Sequence, residues 1–539
     1  MHEVAAHRVL QHTAQATSDP PATFNWKCDL LAFGLFLVLA LQLQWLSSAY
    51  QSEFGGHPDE PAHYVTGLMV RDYIVTSFGK HPMVFAEDYY DHYPKVALGN
   101  WPPMFYVLQT LWTIPFSPAR TSLLVLMAVL TATVAWITFR ALSADVGRWP
   151  AFVGGALFVA LPLVQEHTSS VMNEIATTLF VFPAALVLGR FLDRGCTHDT
   201  ALFGMLAALG ILTKGSALAL AIVAPFAVLF SGRFHVVVRP GFWLPVPIVL
   251  VLAGPWTFKF RDVARAGWCE QSPTWSFTQE ALAYYPAHLV LAVGFTLFIL
   301  ALIGIVFRIV QLWHREPGQG KWAAAMALLI SVVLMQLIIP CGLESRHLIP
   351  ALPALIMFVT TGAAALFRIF GKWHGFAWAM LAIVFFVSTF RVHQKQFAGF
   401  GPLAEVVRQQ LPDARMKALI SSDATGEGVF IAEVAVREKR PEHTIRRASK
   451  VLAHSSWSGA GYQAKFGTSD ALIAELTRDG IAVVVTDDSM PANLRVRHHN
   501  QLISTLDTHK GAFKLIGTYP MTRAGVCHVD AIRVYRRQD

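Results

Sequence analysis

The chain has 539 residues, of which 54% are hydrophobic and only 14% charged. Soluble proteins carry about 25% charged residues, so this composition excludes an ordinary soluble enzyme and points to a polytopic α-helical membrane protein. The net charge of +8 does not call for nucleic acid, because much of the basic charge falls in short loops between apolar runs, where membrane orientation accounts for it.

Residues 1–28 are polar and read as a disordered tail on the cytoplasmic side. The apolar run from Leu30 to Trp45 is long for a signal-peptide core and has no small-residue cleavage site after it, so it reads as a retained first span. Runs long enough to approach the ~20 residues that a spanning helix needs then recur. They fall at 29–48, 120–141, 150–166, 174–190, 200–213, 216–231, 241–256, 286–307, 323–340, 347–367 and 375–391, about eleven spans in all. With the N-terminus inside, the inner loops collect Arg140, Arg148, Arg190, Arg194, Arg233, Arg239, Arg308, Arg315, Lys321, Arg368 and Lys372. Among basic residues, the short outer turns near 167–173 and 340–346 hold only Arg346. This expected topology puts Asp59, Glu60, Glu174, Lys214 and Arg346 at the outer face, in an inner or plasma membrane.

The outer segment 49–118 is too long for a plain connector. It opens with His57-Pro58-Asp59-Glu60-Pro61-Ala62-His63-Tyr64 and later carries Trp101-Pro102-Pro103, where a surface helix is expected to start. After residue 395 the composition changes. Short apolar runs such as Lys417–Ser421, Ile481–Thr486 and Phe513–Tyr519 alternate with helix-like stretches, which predicts a C-terminal α/β domain over 396–539 outside the cytoplasm. Gly426-Glu427-Gly428 after Asp423 reads as a turn with a helix start rather than as a phosphate loop. The five cysteines have no metal-ligand spacing. One disulfide among Cys269, Cys341 and Cys527, or three unpaired thiols, are both compatible with this topology.

Carboxylates are expensive near hydrocarbon, so the acids at the ends of apolar runs call for a reason. On a helix, Asp59 and His63 would share a face, with Glu60 and Tyr64 on the neighbouring one. Such a turn suits a carboxylate base beside a histidine. Lys214 and Arg346 suit a phosphate, Arg346 as a bidentate fork, and Tyr89, Tyr90, Tyr93 and Trp101 suit sugar faces. Singly, each has a bland reading: a solvated helix start, a structural histidine, a snorkelling lysine, a boundary arginine. Their clustering at one face favours a site.

The His57–Tyr64 segment resembles the Asp-Glu motif in the first outer loop of C-type membrane glycosyltransferases, in particular protein O-mannosyltransferases and lipid A aminoarabinose transferases. Asn100-Trp101-Pro102-Pro103-Met104-Phe105-Tyr106, Met172-Asn173-Glu174-Ile175-Ala176, Leu212-Thr213-Lys214-Gly215 and Arg346-His347-Leu348-Ile349-Pro350 resemble four further motifs in the same order. The similarity spans residues 29–370, a transferase domain of 29–395. It implies a sugar transferred from a polyprenyl-phosphate donor to a lipid, glycan or protein acceptor, with inversion. Asp59 would be the general base, supported by Glu60 and His63. Lys214, Arg346, His347, Trp101 and Lys95 would bind substrate, and Glu174 would act by hydrogen bonds or through a divalent cation. Two departures stand out: Asn100 and Trp101 replace a Glu-Lys pair, leaving Lys95 as a substitute cation, and Asn173-Glu174 replaces an aspartate. A transporter and a non-catalytic receptor for lipid-linked sugar are the alternative readings. Transporters place charges near the bilayer midplane in repeated broken helices, and here the charges sit at span ends.

Overall fold

The computed structural model describes residues 26–268, 273–314, 316–413, 416–455 and 461–538. The polar tail through residue 25, Cys269 and Arg315 lie outside the described residues. Cys341 and Cys527 form no disulfide with each other.

The protein is an integral, multi-pass helical membrane protein with a sheet domain at its C-terminal end. Six helical stretches are long and apolar enough to cross a bilayer: Trp26–Leu46, Arg120–Val146, Glu174–Arg194, Phe295–Trp313, Gly320–Ile338 and Ser345–Ser388. The pair Arg148–Ala160 and Pro162–Thr168, bent by 64°, makes a seventh. The expected eleven are not reached by this measure, for identifiable local reasons. Thr197–Ile211, Gly215–Ser231 and Pro240–Leu252 are apolar but short. The expected span 286–307 is broken at Gly294, whose φ of 81° ends one helix and starts the next. The spans expected at 347–367 and 375–391 are two legs of one stretch that turns at Gly371, with φ 51°.

Small residues let the helices close up. A Cβ on Gly304 would run into the carbonyl of Phe358, and one on Gly362 into that of Leu300, so helices Phe295–Trp313 and Leu352–Phe367 meet backbone to backbone. At one end of the bundle the arginines meet acids. Asp29 holds Arg140 and Arg148 at 2.5 and 3.2 Å, and Asp145 holds Arg308 and Lys321. Asp193 holds Arg233 at 2.9 Å, and Asp199 holds Arg190 at 2.6 Å. The opposite end carries residues 49–118 and the sheet domain.

The sheet has six strands in the order Phe397–Ala398, Phe513–Arg523, Val526–Arg537, Ile481–Asp487, Lys417–Ser421, Thr444–Arg447. The last three run parallel and the remainder antiparallel. Gly426-Glu427-Gly428 lies in the first turns of helix Ala424–Arg437, capped by Asp423 through the Gly426 N–H at 2.8 Å. That helix packs on helix Glu60–Thr76, so the domain sits directly on the loop that carries Asp59. Arg440 forks onto Asp72 at 2.7 and 3.3 Å, and Tyr93 donates to Glu438. His443 uses both ring nitrogens, on Glu438 and the Leu411 carbonyl.

Glu53 closes the same junction by accepting the N–H groups of Gly399, Phe400 and Gly401 at 3.1, 3.0 and 2.6 Å. Beside it lies a cavity of about 410 Å³ also lined by Arg120, Glu433 and Arg437. Burial, reinforced by Glu433, pushes the Glu53 carboxyl from 4.5 up to about 7 despite the three N–H donors. Between those values the folded junction holds a proton that the unfolded chain releases. The junction is therefore firmest below about pH 4.5 and weakens as pH rises towards 7. Amide exchange at Gly399–Gly401, corrected for its intrinsic pH dependence, is expected to be slower at pH 5.5 than at pH 7.5. Glu53→Gln is expected to flatten that difference; an unchanged profile in the variant would assign the effect elsewhere.

Candidate active site

Pro58 and Pro61 shape the turn that bears Asp59. Asp59 is the N-cap of helix Glu60–Thr76, yet its carboxylate makes no cap hydrogen bond. An N-cap side chain normally stabilises a helix by ~1 kcal/mol. Here that carboxylate is diverted to Arg346, whose Nη1 donates to Asp59 Oδ2 at 3.0 Å. Asn173 likewise caps helix Glu174–Arg194 without a side-chain bond. The two helix N-termini converge on Arg346, which lies 3.5 Å from Glu174 Oε1. Lys214 Nζ donates to the same oxygen at 2.7 Å. The 3-10 segment Ser345–Ala351 carries Arg346, and the Leu212–Gly215 turn carries Lys214. That turn is tied to the start of helix Met104–Thr113 by Met104 N–H donating to the Leu212 carbonyl at 2.8 Å.

Four residues expected from the sequence thus form one chain: Asp59, Arg346, Glu174, Lys214. Two others were not anticipated there. Glu344 pairs with Arg346 and lies 3.7 Å from His57. His57 in turn lies 3.5 Å from Asp59. Burial alone would push the Asp59 carboxyl up; the Arg346 guanidinium at 3.0 Å outweighs it and holds the group below its usual range. Burial opposes Glu344 in the same way, and His57 and Arg346 bring that carboxyl down to about 2.

The other expected residues are distributed around this chain. His63 is fully buried, with Nδ1 3.2 Å from the Tyr106 hydroxyl and its ring 4.5 Å from that of Trp101. Burial brings its pKa down to about 4, so the imidazole is neutral. Lys95 is buried under the sheet domain with its Nζ 3.3 Å from the Ala424 carbonyl, and burial with the Arg447 charge brings it down to about 7. His347 points to Tyr285, 3.2 Å from its hydroxyl. Glu60 faces away from Asp59, into a buried pair with Lys395. Tyr89 and Tyr93 are fully buried and bonded to Asp72 and Glu438, so neither offers an open ring; Tyr90 is exposed.

Several buried polar atoms at this site have no protein partner: Glu174 Oε2, both side-chain polar atoms of Asn173, and His63 Nε2. Leaving such atoms unsatisfied is costly, and a hydroxyl-rich ligand would satisfy them. A divalent cation fits less well. Arg346 and Lys214 already occupy Asp59 Oδ2 and Glu174 Oε1, so an ion binding there would have to displace a fixed cation. Among the described residues, the two groups of at least three metal-competent side chains are Cys196, His198, Asp199 and Glu438, Glu442, His443. Neither is part of this chain of residues.

The fold has relatives among solved structures, and one stretch of the chain matches a family profile. The sequence profile of the dolichyl-phosphate-mannose-protein mannosyltransferase family matches residues 100–258. That stretch contains Trp101, Glu174 and Lys214 but not Asp59 or Arg346. Among solved structures, ArnT from Cupriavidus metallidurans in the apo state is similar with a TM-score of 0.60 at 13% identity, over 93% of this chain and 97% of that one. The apo oligosaccharyltransferase of Archaeoglobus fulgidus gives 0.55 at 12% identity, over 87% and 70%. AglB from the same organism, with an inhibitory peptide and a dolichol-phosphate, gives 0.55 at 12%, over 96% and 75%. No curated protein sequence matches significantly. These likenesses bear out the family resemblance read from the five motifs.

Proposed function

We propose that the protein is an inverting glycosyltransferase that moves a sugar from a polyprenyl-phosphate donor to a lipid, glycan or protein acceptor at the outer face of the membrane. The observation that carries this reading is the Asp59–Arg346–Glu174–Lys214 chain, which sets a carboxylate beside two cations. ArnT has been solved bound to undecaprenyl phosphate, and AglB with a dolichol-phosphate. Both ligands are polyprenyl phosphates, the donor class that two cations at a membrane boundary suit.

The acceptor hydroxyl attacks the anomeric carbon on the face opposite the phosphate. The new C–O bond forms as the bond from that carbon to the phosphate oxygen breaks, so configuration inverts. Asp59 takes the hydroxyl proton, and the departing electron pair stays on the phosphate, where Lys214 and Arg346 stabilise it. Arg346 has five N–H donors and Lys214 three, more than their carboxylate partners use. Glu174 Oε2, Asn173 and His63 Nε2 are placed to bind sugar hydroxyls. Trp101, packed on His63, closes that side.

No step runs through a metal. Turnover by the purified protein is expected to be unchanged by an excess of chelator. Loss of activity on chelation, restored by a divalent ion, would contradict this part of the reading.

Orientation has its own test. Thr477 is exposed in the sheet domain and Ala144 is exposed at the arginine-rich end of the bundle. In a variant stripped of native cysteines, Thr477→Cys is expected to react with a membrane-impermeant thiol reagent in intact cells, or in spheroplasts. Ala144→Cys is expected to react only after lysis. The reverse pattern would put Asp59 on the cytoplasmic side. Uptake of a labelled solute into vesicles without sugar transfer would favour a transporter instead.

A further inference from the structure

The two adjacent acids of the first loop have different surroundings. Asp59 looks into the site, whereas the Glu60 side chain is fully buried on the other side of the turn. Glu60 Oε1 accepts from Lys395 Nζ at 2.6 Å and from the Val171 N–H at 3.0 Å; Oε2 accepts from the Gly56 N–H at 2.9 Å. Lys395 is 3% exposed and lies just after the last apolar helix, on the strap leading into the sheet domain. Its Nζ also donates to the Ser169 carbonyl at 3.2 Å, and its backbone N–H to the Ser47 carbonyl at 2.9 Å. The packing is tight: a Cβ on Gly56 would collide with Ser170 Oγ and come within 3.3 Å of Lys395 Cε.

This pair therefore joins four segments: the end of the first span, the turn before Asp59, the turn before Asn173-Glu174, and the strap. Two of those segments carry the acids that Arg346 bridges. Glu60 is the residue next to Asp59, and Val171 is three residues before Glu174. Glu60 and Lys395, which join these two segments, are themselves buried and make no contact with Arg346.

We infer that Lys395 is a positioning residue for sugar transfer: paired with Glu60, it fixes the separation of Asp59 and Glu174 and so the seat of Arg346 between them. This rests on the proposed transferase reading. Misplacing a reacting group by about 1 Å can cost ~10²-fold in rate. A buried charge left without its partner is strongly unfavourable, and a well-packed neutral pair can replace an ion pair. Sequence reasoning gives no sign of this pair, because its members are separated by 335 positions.

The test compares Lys395→Met, Lys395→Arg and the double variant Glu60→Gln/Lys395→Gln with wild type and with Asp59→Asn, using a polyprenyl-phosphate sugar that wild type turns over. Lys395→Met is expected to lower kcat by about 10²-fold with the donor KM changed less than threefold. It is also expected to move the acid limb of kcat/KM to higher pH, because an Asp59 that drifts from Arg346 loses the charge that holds its pKa down. Lys395→Arg is expected to restore part of the rate, and the double variant to exceed Lys395→Met. A protein that is merely less stable would lose active fraction without moving the acid limb. If Lys395→Met does not fold, Glu60→Gln alone supplies the same readout: a wild-type kcat and acid limb there overturn the positioning role of the pair. Should Asp59→Asn be inactive while Lys395→Met keeps the wild-type rate and profile, the positioning role alone falls. An active Asp59→Asn would instead remove the transferase reading of this site.

Discussion

Asp59→Asn is expected to keep the fold and donor binding and to lower turnover by ~10²–10⁴-fold, the usual contribution of a general base. The amide preserves shape, and its oxygen can still accept from Arg346, which lies at 3.0 Å in the native protein. What it loses is the capacity to take the acceptor proton. In the wild-type protein the acid limb of kcat/KM is expected below the usual carboxylate range, because Arg346 more than offsets the effect of burial on Asp59. The rate should therefore hold as pH falls from neutrality and fail only once Asp59 is protonated. Kinetics of the purified variant against pH check both statements. Turnover near the wild-type rate would exclude Asp59 as the base.

Arg346→Ala carries the second large effect. Arg346 touches Asp59, Glu174 and Glu344 together. Removing it deletes a phosphate ligand and leaves buried carboxylates with less positive charge nearby, a situation that costs about 2–5 kcal/mol. Donor affinity is expected to fall by ~10²-fold or more. Arg346→Lys keeps the charge but not the planar fork and is expected to lose about tenfold, which is ~1.4 kcal/mol. In Arg346→Ala the acid limb should also move upward, since the strongest influence lowering Asp59 is gone. Titration of a polyprenyl phosphate into each purified variant orders the three affinities. Equal binding by all three would leave Arg346 a boundary charge.

What could be read in the sequence follows from where each signal is stored. The membrane class is stored in composition, and the alternation after residue 395 stores a sheet domain. Asp59, Glu174, Lys214 and Arg346 were legible because each is a charge at the end of an apolar run, where it needs a reason. Glu344 sits two residues before Arg346 and was within reach of the same argument, but an acid in a polar turn raises no alarm. Lys395 left no trace, since its partner is more than 300 residues away. The helical face argument for Asp59 and His63 captured proximity but not cause. Asp59 stands at the helix end, and the adjacent Glu60 is turned inwards by partners the local pattern does not contain. The tyrosines misled because aromatic rings on a loop fit either a sugar platform or a core, and at Tyr89 and Tyr93 the sheet domain covers the loop and buries them. The span expected at 286–307 is divided where Gly294 takes positive φ, a tertiary choice that a hydropathy window averages away.

The central claim is sugar transfer at the Asp59 site, and mass spectrometry of reaction products tests it most directly. Purified protein would be incubated with a panel of polyprenyl-phosphate sugars and an envelope extract as the acceptor source, with Asp59→Asn in parallel. The account predicts that at least one donor is converted to free polyprenyl phosphate, with an acceptor species heavier by that sugar residue, in the wild-type sample only. Donors recovered intact from every wild-type reaction, or released equally by Asp59→Asn, would contradict it.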